Sequence, residues 1–580
     1  MARRPASPRA LAVARGDAPA DLVLTGGRVL SPATREWVRT DLAIADGTVA
    51  AWGRREVERP ADVVEVDGAA LTPGFVDAHM HLESTKLWVD EFVRAVLPLG
   101  TTAVAADPHE IANVFGVPGV RALAEAAARL PFTFGICASS CVPASPFESS
   151  GAALDADDVG ELLGAHGALG VAEVMNFPGV VAGDPELRAR IAAAGARRVD
   201  GHAPGLSGER LDAYLAAGVE SDHECTALEE AEEKRRKGMW VFVRQGSASQ
   251  NLLALIPTVL AHGTDHVALC TDDREPDSLL GRGHVNDCVR MAIEAGVSEI
   301  DALVLATANP AEYHGLTSLG ALGPGYQADV LCFDSLDGVR PRLVFQAGTL
   351  VASEKSLLDG VVPPAPPPAW MLGSVHLDPV PPAPAFERPV AAGARCRVIG
   401  VEAGSLTTRQ LVLDPGATEA GVARLAVVER HRGTGRIGLG WVHGFGLVSG
   451  ALASTVGHDA HNCMVVGAAG ADGAAAMAAA VGRLVELGGG QVVVDAAGRV
   501  VAELPLPIGG LMSDQPAPAV ADRLESLVVA ARSLGVTLPA PFMQLSFLGL
   551  SVIPELRLTD RGLVDVSAFE LVPVEVDADR

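Results

Sequence analysis

No apolar run in this sequence reaches the roughly 20 residues that a membrane-spanning helix needs. Residues 1–20 contain several arginines and only a short apolar stretch, whereas a secretory signal needs a longer apolar region. We therefore expect a cytoplasmic protein without a membrane partner, preceded by a disordered leader over residues 1–20.

Cysteine is scarce, with eight residues in a chain of 580, and only Cys137 and Cys141 lie close together. Disulfide frameworks are typical of short secreted chains, and a zinc knuckle needs a second close pair of cysteines. We interpret the cysteines as buried thiols in a reducing compartment.

Basic residues are outnumbered, since 45 Lys and Arg stand against 71 Asp and Glu, and the formal net charge is −26. A protein that binds nucleic acid presents a basic face to the phosphates, so we expect no nucleic-acid partner. Charged residues make up only 20% of the chain and apolar residues 49%, which is typical of a globular protein rather than a disordered one.

Short apolar or β-branched runs alternate with stretches of helical pattern between residues 73 and 319. Eight of these runs predict strands, at residues 74–79, 100–107, 132–138, 169–175, 198–202, 218–223, 239–244 and 266–271. Eight strand–helix repeats within one domain predict an α/β fold, a (β/α)8 barrel of the TIM type. A doubly wound open sheet is the alternative.

The segments on either side of the predicted barrel have strand character. Residues 21–72 contain apolar runs separated by turn residues, and residues 320–355 return to short strands. We expect the two segments to form one small β-sandwich domain into which the barrel, at residues 73–319, is inserted. A proline-rich linker over residues 356–389 then leads to a C-terminal α/β domain at residues 390–580.

Residues that bind metals in proteins stand at the ends of five predicted barrel strands. His79 and His81 are two positions apart on the first strand, so their side chains point to the same face. The fourth, fifth, sixth and eighth strands end in Glu173, His202, His223 and Asp272. TIM-barrel active sites lie at the carboxyl ends of the strands, so the six residues are predicted to converge there. Four imidazoles and two carboxylates suffice for two divalent cations, and such mixed ligands suit manganese, iron or zinc.

Several segments resemble the adenine deaminase family of the amidohydrolase superfamily. They are LTPGFVDAHMHLEST (71–85), GTTAVAADPHEIANVFG (100–116), VAEVMNFPGV (171–180), DGHAPGLSGERLDAYLAAGVESDHE (200–224), CTDDREPDSLLGRGHVND (270–287) and GRIGLGWVHGFGLVSGALASTVGHDAHN (435–462). The resemblance spans roughly residues 20 to 575. The His-x-His opening is shared by the whole superfamily, whereas DPHEIANV and AEVMNFPG are narrower signals.

The resemblance implies hydrolytic deamination of free adenine to hypoxanthine and ammonia, a reaction of purine salvage. It implies that His79 and His81 hold one divalent ion. By the same resemblance His202 and His223 hold a second ion, and Glu173 bridges the two. Manganese is the expected metal, with iron or zinc as alternatives. Such ions lower the pKa of water, so hydroxide becomes available to attack C6 of adenine. We further expect adenine as the small-molecule partner and a homo-oligomer, specifically a dimer.

Asp272 and Glu110 are the predicted proton-transfer residues. The resemblance implies that Asp272 both binds metal and transfers protons. We predict that Glu110 contacts the metal centre or carries protons to the purine, the alternative being a carboxylate that simply begins a helix. In the C-terminal region, His458 and His461 are three residues apart, which fits a metal site on a helix, but we interpret them as packing or domain-docking residues.

Five further residues are predicted to contact the purine, namely His109, Arg244, Gln245, Ser247 and His284. The alternative for Arg244 is a structural salt bridge, and for His284 an ordinary helix-start histidine. Gln245 stands where the family pattern has Glu, which removes a charge and puts rate or specificity in doubt.

Three other functions are weighed against adenine deamination. A related amidohydrolase acting on another amino-heterocycle or a cyclic amide would use the same metal ligands. A cytidine-deaminase site is excluded, because it needs a Pro-Cys-x-x-Cys segment that the sequence lacks. A non-catalytic scaffold on a decayed barrel is disfavoured, because all six candidate ligands are present.

Overall fold

The computed structural model describes residues 6–53, 62–391, 393–416 and 421–576. Among these residues, no helix combines the length and apolar character that crossing a bilayer requires.

A TIM-barrel-type unit forms the middle of the chain. Its eight strands are Phe75–Met80, Thr101–Ala106, Thr133–Ile136, Val171–Val174, Val199–Gly201, Ser221–Asp222, Trp240–Arg244 and Val267–Cys270. Seven lie within their predicted runs, and the first extends one residue beyond its run. The ladders between neighbouring strands are parallel. The amide of Asp272 donates a hydrogen bond to the carbonyl of His79, which joins the eighth strand to the first, unlike an open sheet.

Helices separate these strands along the chain. They are Val89–Val96, His109–Phe115, Val117–Ala127, Ala156–Gly164, Phe177–Ala182, Pro185–Ala193, Gly208–Ala216, Leu228–Arg236, Leu252–His262, Pro276–Gly281, Val285–Glu294, Glu299–Leu305 and Ala308–Tyr313. The helix Ala156–Gly164 is representative. A capping box of Asp155 and Asp158 starts it, and Val159, Leu162 and Leu163 form its buried stripe at helical spacing.

Strands from both sides of the barrel share one sheet. Val330–Phe333, after the barrel, pairs antiparallel with Ala70–Pro73, which directly precedes the first barrel strand. The remaining strands of this seven-stranded sheet are Arg28–Ser31, Glu36–Arg39, Leu343–Gln346, Thr349–Ser353 and Ser356–Leu357. A four-stranded sheet contains Leu22–Thr25, Leu42–Ala45, Thr48–Trp52 and Asp62–Glu65. Apolar side chains of both sheets form one buried cluster.

The N-terminal segment contains a helix, Pro8–Arg15, where the sequence analysis predicts a disordered leader over residues 1–20. The Ser7 side chain caps the helix by accepting a hydrogen bond from the amide of Ala10. Ala10 and Val13 are buried against alanines of the four-stranded sheet. The prediction is therefore wrong for residues 6–20, because apolar side chains one turn apart give this segment a surface to pack, while residues 1–5 lie outside the described residues.

The proline-rich segment 356–389 is docked along its length. The indole nitrogen of Trp88 donates a hydrogen bond of 2.5 Å to the carbonyl of Ala365. Two short 3-10 helices, Ala369–Met371 and Ala383–Phe386, bury Met371 and Phe386. This connection is therefore held against the folded units that it joins.

The C-terminal region is built on an eight-stranded sheet. In spatial order its strands are Thr408–Leu413, Cys396–Val401, Ile437–His443, Val422–Val428, Cys463–Gly467, Ala451–Ser454, Gly490–Val494 and Val500–Pro505. The helix Gly473–Leu487 packs against one face. The helices Ala517–Ser533 and Pro541–Phe547 and a three-stranded sheet of Leu556–Thr559, Gly562–Asp565 and Glu570–Val572 complete the region.

Substitution of Gly170 tests how closely the fourth and fifth barrel strands approach each other. A Cβ at Gly170, beside the fourth strand, would lie 2.4 Å from the backbone oxygen of Arg198 on the neighbouring segment. We expect Gly170→Ala to destabilise the protein by about 1–3 kcal/mol. Gly160, in a helix with open space around it, is the control, and Gly160→Ala should stabilise by about 0.5–1 kcal/mol. Denaturant unfolding measures both, and equal effects of the two variants would contradict the close approach.

Candidate metal centre and substrate pocket

The six predicted ligands lie together and are all buried at the carboxyl ends of the barrel strands. Nε2 of His79 and Nε2 of His81 are 3.2 Å apart. Glu173 stands between the histidine pairs. Its Oε1 is 3.3 Å from His81 Nε2, while its Oε2 is 2.6 Å from His202 Nδ1 and 3.3 Å from His223 Nε2. One carboxylate thus faces both pairs of imidazoles.

Asp272 faces the first of these pairs. Its Oδ1 lies 3.6 Å from His79 Nε2 and 3.1 Å from His81 Nε2. The eighth strand therefore completes the group that the first strand begins.

The donor set fits a divalent cation. The facing nitrogens of His79 and His81 compete for the same space, and an imidazole pair directed at one point is typical of metal ligands. The Nε2 atom of His202 is buried without a hydrogen-bond partner among the described residues, although buried polar atoms are nearly always paired. The ligand atoms of His79, Glu173 and His223 all lie within 4.8 Å of one another.

The charges of the cluster are strongly coupled. Burial alone would raise the pKa of Glu173, but His223 and His202 hold that pKa well below its usual value. Burial lowers the pKa of His223, yet the Glu173 carboxylate outweighs it and raises the pKa to about 9. The carboxylates therefore stay ionised, and a bound cation would replace protons on the imidazoles.

Arg244 lines the cavity, and its guanidinium forms ion pairs with Asp272 and Glu224. Its guanidinium donates hydrogen bonds to Asp272 Oδ2 at 2.7 Å and to Glu224 Oε2 at 3.0 Å, and its side chain is buried. Burial raises the pKa of Asp272, but Arg244, followed by His79 and His81, lowers it well below its usual value. Glu224 was not among the residues predicted from the sequence, where its only signal is a charge directly after His223.

The second strand brings His109 to the cavity. Its Nδ1 is 2.8 Å from Asp107 Oδ2 and 3.4 Å from Glu173 Oε1. Glu110 does not line the cavity itself. Its Oε1 lies 2.7 Å from Nδ1 of His458. Burial raises the pKa of Glu110, but His458 lowers it to about 2.

The C-terminal region forms part of the cavity wall. The cavity is bounded on this side by Leu406, His458, Asp459, Phe547, Leu550 and Ile553. The structure thus places His458 at the cavity, whereas the sequence analysis interpreted it as a packing or docking residue. His461 is buried, and its Nδ1 accepts a hydrogen bond from the amide of Gly457.

Three of the predicted purine contacts do not line this cavity in the described part of the chain. Gln245 directly follows the strand Trp240–Arg244 and is buried, and its Oε1 has no hydrogen-bond partner among the described residues. Ser247 accepts a hydrogen bond from the amide of Glu275.

His284 is the third of these residues. It begins the helix Val285–Glu294, and its ring nitrogens lie 3.0 Å from the hydroxyl of Thr101 and 3.3 Å from that of Thr271. The structure therefore corrects the placement of His284, because the helix start packs among these strand residues instead of reaching the pocket.

Removing the Arg244 guanidinium tests its buried ion pairs with Glu224 and Asp272. Arg244→Met leaves the carboxylates of Glu224 and Asp272 buried together, and we expect a loss of about 3–5 kcal/mol in the unfolding free energy of the metal-free protein. Adding Glu224→Gln should recover part of that loss. The control is Arg499→Met, which removes an exposed pair with Asp495 and should change little. If the Arg244→Met protein were as stable as the wild type, Arg244 would not compensate the charges of Glu224 and Asp272.

The comparisons with known proteins agree with this geometry. The amidohydrolase family profile matches residues 70–352, and the adenine deaminase C-terminal domain profile matches residues 403–570. The amidohydrolase family implies a divalent metal and a TIM-barrel-type fold.

Curated relatives extend over nearly the whole chain. Adenine deaminase 2 of Carboxydothermus hydrogenoformans is 43% identical over 574 residues, which cover 97% of this chain and 98% of the relative. Adenine deaminase of Cereibacter sphaeroides is 44% identical over 568 residues, with 96% and 98% covered. Among solved structures, the L-hydantoinase of Arthrobacter aurescens is 15% identical, with a TM-score of 0.46 over 58% of this chain and 97% of that one. On the identity and coverage of these curated relatives, the chain belongs to the adenine deaminase family.

Proposed function

We propose that this protein hydrolyses adenine to hypoxanthine and ammonia in purine salvage, using two divalent ions, with manganese preferred over iron or zinc. The observation that carries the proposal is the position of Glu173, whose two oxygens face two separate histidine pairs. Relatives named adenine deaminase over nearly the full chain support the substrate.

This arrangement supports the following ligand roles. His79 and His81 would hold one ion, His202 and His223 the other, and Glu173 would bridge them. Bound divalent ions lower the pKa of water, which makes hydroxide available near neutral pH.

Asp272 is the proposed proton-transfer residue. Arg244 holds one of its oxygens, Oδ2, at 2.7 Å, while Oδ1 faces His79 and His81. A carboxylate fixed in this way and kept ionised can take a proton from the attacking water and pass it to the purine as the ring loses aromaticity at C6. Acid–base help of this kind contributes about 10²–10⁴-fold.

The cavity matches a small planar heterocycle. The metal ligands form its polar side, and Leu406, Phe547, Leu550 and Ile553 form an apolar wall. An apolar wall suits the faces of a purine, while its edge nitrogens need polar partners. His109 is retained as a purine contact, and Glu110 as a residue that acts on the purine only through His458.

The domain division stays a proposal, with the small β domain at residues 21–72 and 320–355, the barrel at 73–319 and the C-terminal domain from 390. The docked segment 356–389 joins them. The homodimer and the cytoplasmic location also stay predictions.

Turnover by reconstituted protein tests the proposal. Protein stripped of metal should not convert adenine, and loading with manganese should restore hypoxanthine formation, followed spectroscopically. Asp272→Asn should lower kcat at least about 10²-fold under the same loading. Parallel assays with guanine, cytosine and dihydropyrimidines examine the rival amidohydrolase reactions. Absence of hypoxanthine under every metal tried would reject adenine as the substrate.

A further inference from the structure

We propose that His458 and Asp459, both from the C-terminal region, bind the purine edge that carries N3 and N9–H, with His458 donating to N3 and Asp459 accepting from N9–H. The inference rests on the proposed function, because it names the polar partners of that substrate. It assigns direct substrate contact to a region outside the barrel.

Asp459 supplies an unused acceptor. It is 2% exposed, it lines the cavity, and its Oδ2 has no hydrogen-bond partner among the described residues. Its nearest cationic neighbour, His109 Nε2, is 3.7 Å away, beyond hydrogen-bond range. A buried carboxylate oxygen without a partner is costly, so a donor is expected in the cavity.

His458 supplies the neighbouring donor, and two contacts orient its ring. Nδ1 lies 2.7 Å from Glu110 Oε1, and one ring face stacks on Phe547 with centroids 4.4 Å apart and planes at 10°. With that edge and that face occupied, Nε2 is the polar atom left for the cavity that His458 lines. The carboxylates of Glu110 and Asp459 favour a protonated ring, which makes Nε2 a donor.

The chemistry of adenine selects the edge. C6 and its amine must face the metal ligands, where hydroxide is supplied. The edge away from C6 presents an acceptor, N3, beside a donor, N9–H. That order complements a donor and an acceptor on consecutive residues. A sugar on N9 would remove the donor and meet Asp459, so the pair also favours the free base over a nucleoside.

Two adenine analogues separate the two contacts. 3-Deazaadenine lacks the N3 acceptor, and 9-methyladenine lacks the N9 donor. As competitive inhibitors of the manganese-loaded wild type, we expect each to bind about 10–100-fold more weakly than the KM for adenine indicates, the size of a hydrogen bond to a charged group.

Variants of His458 and Asp459 should each remove the weaker binding of one analogue and not of the other. In His458→Ala the penalty for 3-deazaadenine should vanish while that for 9-methyladenine persists, and Asp459→Ala should show the reverse. Both variants should lower kcat/KM for adenine about 10–100-fold. His443→Gln, elsewhere in the same region, should leave all values unchanged. Unfolding temperature and bound manganese, measured on each variant, identify any that merely misfold.

The outcomes distinguish this inference from the proposed function. If the wild type converts adenine but both penalties persist in both variants, the N3/N9 contacts are wrong while the deaminase function stands. Misfolding of the alanine variants is met by His458→Phe and Asp459→Leu, which keep most of the side-chain volume but lack the proposed donor or acceptor, and should show the same selectivity. If the wild type forms no hypoxanthine, the proposed function itself fails.

Discussion

The attraction between one buried carboxylate and four imidazoles organises this protein. Glu173 comes from a short strand and is buried, so its charge is compensated mainly by the imidazoles around it. Asp272 is in turn held by Arg244, whose guanidinium also donates a hydrogen bond to Glu224. Such a chain of buried pairs is stable only when it is complete, because each removed partner leaves an uncompensated charge.

Much of this centre was readable from the sequence, for a local reason. His79 and His81 share a face because of the two-residue strand period, and the other four predicted ligands lie beside them because the strand ends of a TIM-type barrel meet on one side. The strands themselves were readable because apolar runs of their length are bounded by turn residues. Every one of these inferences needs only a few consecutive residues.

The remainder depends on contacts between distant segments. Nothing near His458 in the chain indicates that Glu110, far away in sequence, lies beside it. The helix Pro8–Arg15 exists because a sheet formed later in the chain covers its apolar face. The misplaced residues show the converse. Gln245 and His284 stand close in sequence to residues that line the cavity, yet neither lines it, and His284 packs against the hydroxyl of Thr101.

The antiparallel ladder between Ala70–Pro73 and Val330–Phe333 has a mechanical consequence. Ala70–Pro73 runs almost without interruption into the strand that carries His79 and His81. The ladder therefore holds the two ends of the barrel segment side by side. A substitution that weakens this ladder is therefore expected to loosen the strand that positions His79.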